Sequence, residues 1–232
     1  RISSPLEEFP ADAIEEIRQE RMAVDPNFSL PPCRVEIVVG APGEQRLYVV
    51  LPTDKQTKLP FSVNAPFVQD PARMSVKDPS ISPTNWWLLE RVGRLAAECL
   101  AEWLEGEQFD LAERAEAYQL LPSFRIESDS CDNRVCTVFS EYLAKKPLLL
   151  ASNGSLVRRC FVPPFPFYEI WEPDDIASFT GDEYETVLSQ VIQSEYRERL
   201  EKWGLITMVS EWTMVDWFRR HTVPRPSGYH QI

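Results

Sequence analysis

The run SPTNWWLLERVGRLAAECLAEWL, residues 82–104, constrains this chain more than any other stretch. Leu88, Val92, Leu95, Cys99 and Trp103 recur at spacings of three and four, with Leu89, Ala96 and Leu100 beside them. Glu90, Arg91, Arg94, Glu98 and Glu102 fall mostly around the other side. That is the period of an amphipathic helix packed on a sheet. Thr84 is the expected N-cap, with the helix running through Leu104.

The residues before it supply the sheet. Arg34–Val39 (RVEIVV) and Arg46–Leu51 (RLYVVL) are rich in β-branched and aromatic residues, and APGEQ between them holds a turn glycine. Together they predict an antiparallel hairpin. TDKQTK, residues 53–58, reads as a polar loop. LPFSVNAPFVQDPAR, residues 59–73, then sets Pro60, Pro66 and Pro71 among Leu59, Phe61, Val63 and Phe67. Ahead of all this, residues 11–23 read as a helix, with Asp12 and Glu15 as its capping pattern.

The second half is more helical. Leu111–Leu121 predicts a helix, and Val135, Val138, Phe139, Tyr142 and Leu143 make another helical stripe. PLLLA and LVRRCFV flank Asn153-Gly154, a strong hairpin signal because both residues tolerate positive φ. PPFPF reads as extended. Thr180 with Glu183 predicts a capped helix carrying Tyr184, Val187, Leu188, Val191 and Ile192, ended by Gly204. A tryptophan-bearing helix is expected from Ser210 to Arg220, and PRPSGYHQI reads as a frayed tail. The fold class is therefore α+β: a small mixed or antiparallel sheet with a long helix over residues 1–105, then a mainly helical region over 106–232 with a hairpin near 147–162.

Composition narrows the chemistry. Lys and Arg number 24 and Asp and Glu 36, a net charge of −12, which argues against nucleic acid or an anionic membrane as the main partner. No apolar run approaches the roughly 18 residues needed to span a bilayer. The acidic, amphipathic start does not read as a signal peptide, and opening on Arg1 reads as a piece of a longer chain. Five scattered cysteines look like reduced cytosolic thiols, and Cys131-x4-Cys136 has the wrong spacing for a zinc knuckle. The two histidines, His221 and His230, lie in the tail, which disfavours a histidine-based catalytic site. Only eight glycines occur, and none of the phosphate-cradling, nucleophile-elbow or zinc-protease motifs is present. The acidic pairs Glu15-Glu16, Asp174-Asp175 and Asp182-Glu183 sit at expected helix starts, where the dipole favours them. Trp86-Trp87 and Trp212/Trp217 are expected in the core. No catalytic residue and no metal ligand is expected.

Lys55 and Lys58 leave a strand end on a short polar loop, and a lysine so placed can reach a phosphate in a neighbouring domain or stand in solvent. Arg73 ends the proline-rich stretch and can pair within the chain or face a phosphate.

RLYVVLPT, LPFSVNAPFVQDPAR and SPTNWWLLERVGRLAAECLAEWL together resemble the segment that follows the ATP-binding domain in sacsin-like proteins. These belong to the GHKL (Bergerat-fold) superfamily, with the large heat-shock chaperone, gyrase B and MutL. The resemblance is strongest over residues 25–104, through Leu51-Pro52-Thr53, Leu59-Pro60-Phe61, Val63-Asn64-Ala65-Pro66-Phe67, Arg73 and Asn85. PLLLASNGSLVRRCFVPP is similar more loosely.

The resemblance implies an upstream Bergerat domain that holds ATP and Mg²⁺, whose own motifs are absent here. This chain would be the downstream, transducer-like region. Gyrase-type relatives use a Gln-Thr-Lys loop, and Gln56-Thr57-Lys58 matches it, so the resemblance gives Lys58 the phosphate-sensing role, with Arg73 as rival and Lys55 third. A cation there would stabilise bound triphosphate and transition state, and its release on hydrolysis would switch the loop. Phe61, Val63 and Phe67 would anchor the proline-stiffened stretch between that loop and the core. The output would be chaperone-like remodelling or anti-phage defence in the cytoplasm, with a protein client or effector and a homo-oligomer among the expected assemblies. The rival expectation is an acidic protein-interaction module with no nucleotide coupling, docking through Trp212, Met214, Val215, Trp217 and Phe218. A hydrolase built on scattered Asp and Glu is a third reading, without any clustered motif to support it.

Overall fold

The computed structural model describes residues 1–22, 25, 28–123, 130–164, 171, 172, 175 and 186–220. The fold is α+β, as the sequence predicts. The chain divides into two compact units, each assembled from two stretches: Arg1–Leu100 with Gln119–Ala144, and Ala101–Tyr118 with Lys145–Ile232.

The first unit is built on a five-stranded sheet of β1 (Ile2–Ser3), β2 (Glu36–Val39), β3 (Arg46–Val49), β4 (Leu51–Gln56) and β5 (Phe61–Asn64), in the order β1-β2-β5-β3-β4. β2 and β3 do not form the expected hairpin. β5 inserts between them, antiparallel to β2 and parallel to β3, with Val63 opposite both Ile37 and Leu47. The reason is burial. Phe61, Ser62 and Val63 are all buried, the pattern of a strand covered on both faces. Ser62 is admitted because its hydroxyl donates to Gln45 Oε1 at 2.8 Å. The first part of the proline-rich stretch is thus the central strand, and the expected anchors Phe61, Val63 and Phe67 are buried.

The expected polar loop 53–58 is mostly strand β4, paired antiparallel with β3. The turn between them is a single residue, Val50, at φ 66°, whose N–H donates to Asn64 Oδ1. β4 is an edge strand, and its Pro52 and its register irregularity are common devices for protecting an edge.

Three helices complete this unit. Helix α1 spans Ala11–Glu20, and its N-cap is Pro10, with no capping side chain, in place of the expected Asp12 pattern. Phe9, Ala13 and Ile17 form its buried side. The long helix α2 spans Pro83–Glu105. Its capping hydroxyl is Ser82, which accepts Asn85 N–H at 3.2 Å, with Pro83 in the first helical position; Thr84 is fully buried one residue further on. Leu88, Val92 and Leu95 are buried as expected, but Arg91 is not on the solvent side. Its guanidinium is buried, donates to Ser4 Oγ, Pro5 O and Cys33 O, pairs with Glu7 and stacks on Trp87. Helix α4, Ser130–Leu143, comes after α3 (Leu111–Ala115) in the chain and buries Val135 and Phe139.

In the second unit, α3 (Leu111–Ala115) starts on a complete capping box between Asp110 and Glu113 and continues as a 3₁₀ turn, Glu116–Leu120. β6 (Leu149–Leu150) and β7 (Leu156–Val157) form the Asn-Gly hairpin, with Gly154 at φ 84°. β8 (Cys160–Val162), β9 (Thr186–Val187) and β10 (Ile206–Met208) form a parallel sheet in the order β10-β8-β9. The predicted helix through Val187–Ile192 is overturned here. Thr186–Val187 is buried strand, and the helix, α5, is Ser194–Lys202. A run of apolar residues this short fits a buried strand as well as a helix. Thr180, Glu183 and Tyr184 lie outside the described residues, as do His221, His230 and residues 165–167 of PPFPF. Helix α6, Glu211–Arg220, agrees with expectation, with Ser210 Oγ accepting Thr213 N–H. Its Met214 and Trp217 pack with Phe161, Val187 and Val209.

At Gly93 the helix α2 lies close against α4. A Cβ there would lie 2.7 Å from Val135 O and 3.0 Å from Val138 Cβ. Helix propensity alone favours Gly→Ala by about 1 kcal/mol. The backbone clash reverses that sign, so Gly93→Ala is expected to destabilise by about 1–3 kcal/mol in a denaturant titration.

Candidate functional site

The site is built on the edge strand β4. Arg46 pairs with Gln56 but Tyr48 pairs with Pro52, so the strand carries extra residues between those pairs. Thr53 turns inward, donates to Leu47 O at 2.8 Å and accepts Lys55 N–H at 3.2 Å. Asp54 turns the other way, and its N–H donates to Met74 O at 2.8 Å. That bond lays the turn 70–75 along β4.

The turn is self-organised. Asp70 Oδ1 accepts the N–H groups of Met74 and Ser75 at 2.9 and 3.0 Å, and Arg73 N–H returns to Asp70 O. Arg73 itself sits at φ 56°. Lys55 follows Asp54 in β4 and Arg73 precedes Met74 in the turn. Two of the three cations singled out by sequence are thus brought to neighbouring backbone positions, Lys55 half-buried and Arg73 exposed. Lys58 stands beyond the end of β4. Its side chain is exposed, while its N–H donates to Asp132 Oδ2 on α4 at 2.8 Å. Asp132 is buried and was not singled out by sequence. An acid in the first turn of a helix looks like dipole chemistry, and nothing local announces a partner 74 residues upstream.

The rest of the proline-rich stretch pairs with residues 75–77, through Lys77 N–H to Val68 O and Asp70 N–H to Ser75 O, and one side chain ties that pair to α2. Asn85 is buried, and its carboxamide accepts Val68 N–H at 2.8 Å and donates to Val68 O and Lys77 O at 2.9 and 2.8 Å. A second buried group fixes α1 to the start of α2. Glu16 accepts from Ser82 Oγ (2.9 Å), Thr84 N–H (3.0 Å) and Lys77 Nζ (3.0 Å). Burial alone would push its carboxyl up, but the hydrogen bonds from Thr84, Lys77 and Ser82 outweigh that and hold it below the usual carboxylate value.

A cleft of about 680 Å³ opens beside the turn. Phe9, Ile17, Leu30 and Phe67 line its inside, and Arg21 and Arg73 stand at it.

Cys131 and Cys136 are buried on α4, and burial raises the Cys136 thiol to about 12. Among the described residues no group of three or more His, Cys, Asp and Glu is placed to hold a metal. Two tryptophans depart from the expected core. Trp86 is partly exposed with the Arg134 guanidinium 4.0 Å over its ring, and Trp212 is 81% exposed. Trp87, stacked against Phe9, and Trp217 are packed as expected. No described helix is long and apolar enough to cross a membrane. No family model matches this chain, and no match is found among curated proteins or solved structures.

Two outcomes check this geometry. Asn85→Asp replaces the donor that serves two carbonyls by a carboxylate, so it is expected to destabilise more than Asn85→Ala, each by at least about 2 kcal/mol in denaturant melts. Glu16, whose folded pKa is lowered, contributes stability that is present above the ordinary carboxylate pKa and lost as pH falls through the folded value. Thermal melts between about pH 6 and about pH 3 should show Glu16→Gln with a flatter acid limb than the native chain.

Proposed function

We propose that this chain is the coupling region of a sacsin-like GHKL ATPase, following a Bergerat domain that holds ATP and Mg²⁺. Lys58 reaches toward the terminal phosphate, with Arg73 as rival and Lys55 third. The chain by itself performs no catalysis. It converts the nucleotide state of the upstream domain into a change of conformation, used in the cytoplasm for chaperone-like remodelling or for anti-phage defence.

The observation that supports this reading is the anchoring of the cations. Lys58 has an exposed side chain on a backbone bonded to Asp132, and the Asp54–Met74 bond ties the segments of Lys55 and Arg73 together. A charge on a fixed backbone loses little on ordering when a phosphate arrives. The same ties run to α4 and to the turn, so loss of the phosphate would be felt by both. Five strands and a long helix also fit the small-sheet-plus-helix architecture that the resemblance implies.

The interaction-module reading is favoured by fewer residues than expected. Met214 and Trp217 serve the core of their own unit, leaving Trp212 as the exposed large apolar residue of α6.

In the longer polypeptide carrying the ATP-binding domain, Lys58→Ala is expected to lower ATP turnover by about 10²-fold with melting unchanged. Unchanged turnover removes Lys58 from the role. Calorimetric titration of this chain alone with a non-hydrolysable ATP analogue and Mg²⁺ should show no binding; micromolar affinity would mean a complete nucleotide site within it and would overturn the coupling reading.

A further inference from the structure

We propose that the cleft between α1, residues 28–33 and residues 66–73 docks a segment of a partner protein, with an apolar side chain seated inside and carboxylates on Arg21 and Arg73. Three observations within the first unit carry this.

The first is shape. About 680 Å³ is room for a large side chain and its neighbours, and Phe9, Ile17, Leu30 and Phe67 supply the apolar part of a mixed lining.

The second is the rim. Among the described residues three non-glycine residues have positive φ: Met22 (50°), Val50 (66°) and Arg73 (56°). Arg73 lines the cleft, and Met22 and Val50 each directly follow a lining residue, Arg21 and Val49. Left-handed backbone is costly for residues that carry a Cβ. Here it goes with exposed apolar side chains, Met22 at 86% and Val50 at 87%, with Leu51 and Met74 beside them. Apolar surface outside the cleft suits a polypeptide that continues past its anchor, where a small molecule would end.

The third is charge. The two acids at this cleft have partners of their own: Glu20 shares Lys77 Nζ with Glu16, at 2.9 Å, and Asp70 Oδ1 accepts two N–H groups of its own turn. Arg21 and Arg73 make no ion pair among the described residues. On a chain of net charge −12, a local pair of uncommitted guanidiniums selects carboxylates over cations at short range. The inference does not depend on nucleotide. It uses Arg73 for the partner and leaves Lys58 to the phosphate.

The test is to pan a displayed library of random short peptides on the full chain, then measure the best peptide by fluorescence anisotropy. Enrichment of Asp and Glu around a Leu, Met or Phe is expected. The Arg21→Glu/Arg73→Glu chain should bind that peptide at least about tenfold more weakly with its melting temperature unchanged. Should charge reversal impair folding, Arg21→Gln/Arg73→Gln gives the same comparison. No enrichment, a basic consensus, or equal binding by the variants would overturn the proposal. Displacement of the peptide by decanoate at comparable affinity would assign the cleft to a free amphiphile and overturn it equally.

Discussion

Three hydrogen bonds from one carboxamide hold the first unit in its arrangement. Asn85 lies at the start of the long helix, and it fixes both ends of the path from the central strand to that helix, at Val68 and at Lys77. β5 is buried on both faces and cannot shift without emptying the core. The turn 70–75 and the tie to β4 lie between these two fixed points, and the turn forms one side of the cleft. The backbone pairs with itself here, Lys77 N–H donating to Val68 O and Asp70 N–H to Ser75 O, and the side chain satisfies the groups at the open end of that short ladder, Val68 N–H and Lys77 O. A buried asparagine does this because it presents donor and acceptor together.

The Glu16 cluster plays the same part for α1. One carboxylate satisfies a helix-start N–H, a capping hydroxyl and an ammonium. It ties the first helix to the second across 66 to 68 residues of sequence, where apolar contact alone would leave their relative rotation free.

Much of the fold is legible in the sequence where the signal is local. The 3.6-residue period of α2, the stripe on α4, the Asn-Gly turn and the serine at the start of α6 all correspond to observed elements. The failures are non-local. Nothing near Arg34–Leu51 says that a later strand separates β2 from β3, because pairing is decided by which strand best fills the middle of the sheet. Val187 and Leu188 read as helix because short apolar runs carry no decisive period. Arg91 falls on the polar side of a helical wheel, yet it is buried because Ser4, Pro5, Glu7 and Cys33 arrive from elsewhere to meet it. For the candidate site, the sequence yields the cations but not their anchors: the Asp54–Met74 bond and the Asp132 contact depend on the folded sheet.

The first unit is interrupted in sequence, since Gln119–Ala144 returns to it after Ala101–Tyr118 has left. On a ribosome the sheet strands emerge well before α4 does. Until residue 144 has cleared the exit tunnel, Gly93 faces no partner and the carboxylate that anchors Lys58 is not in place. The segment carrying the proposed phosphate contact is therefore anchored late, and any nascent or proteolysed fragment ending near residue 105 lacks that anchor.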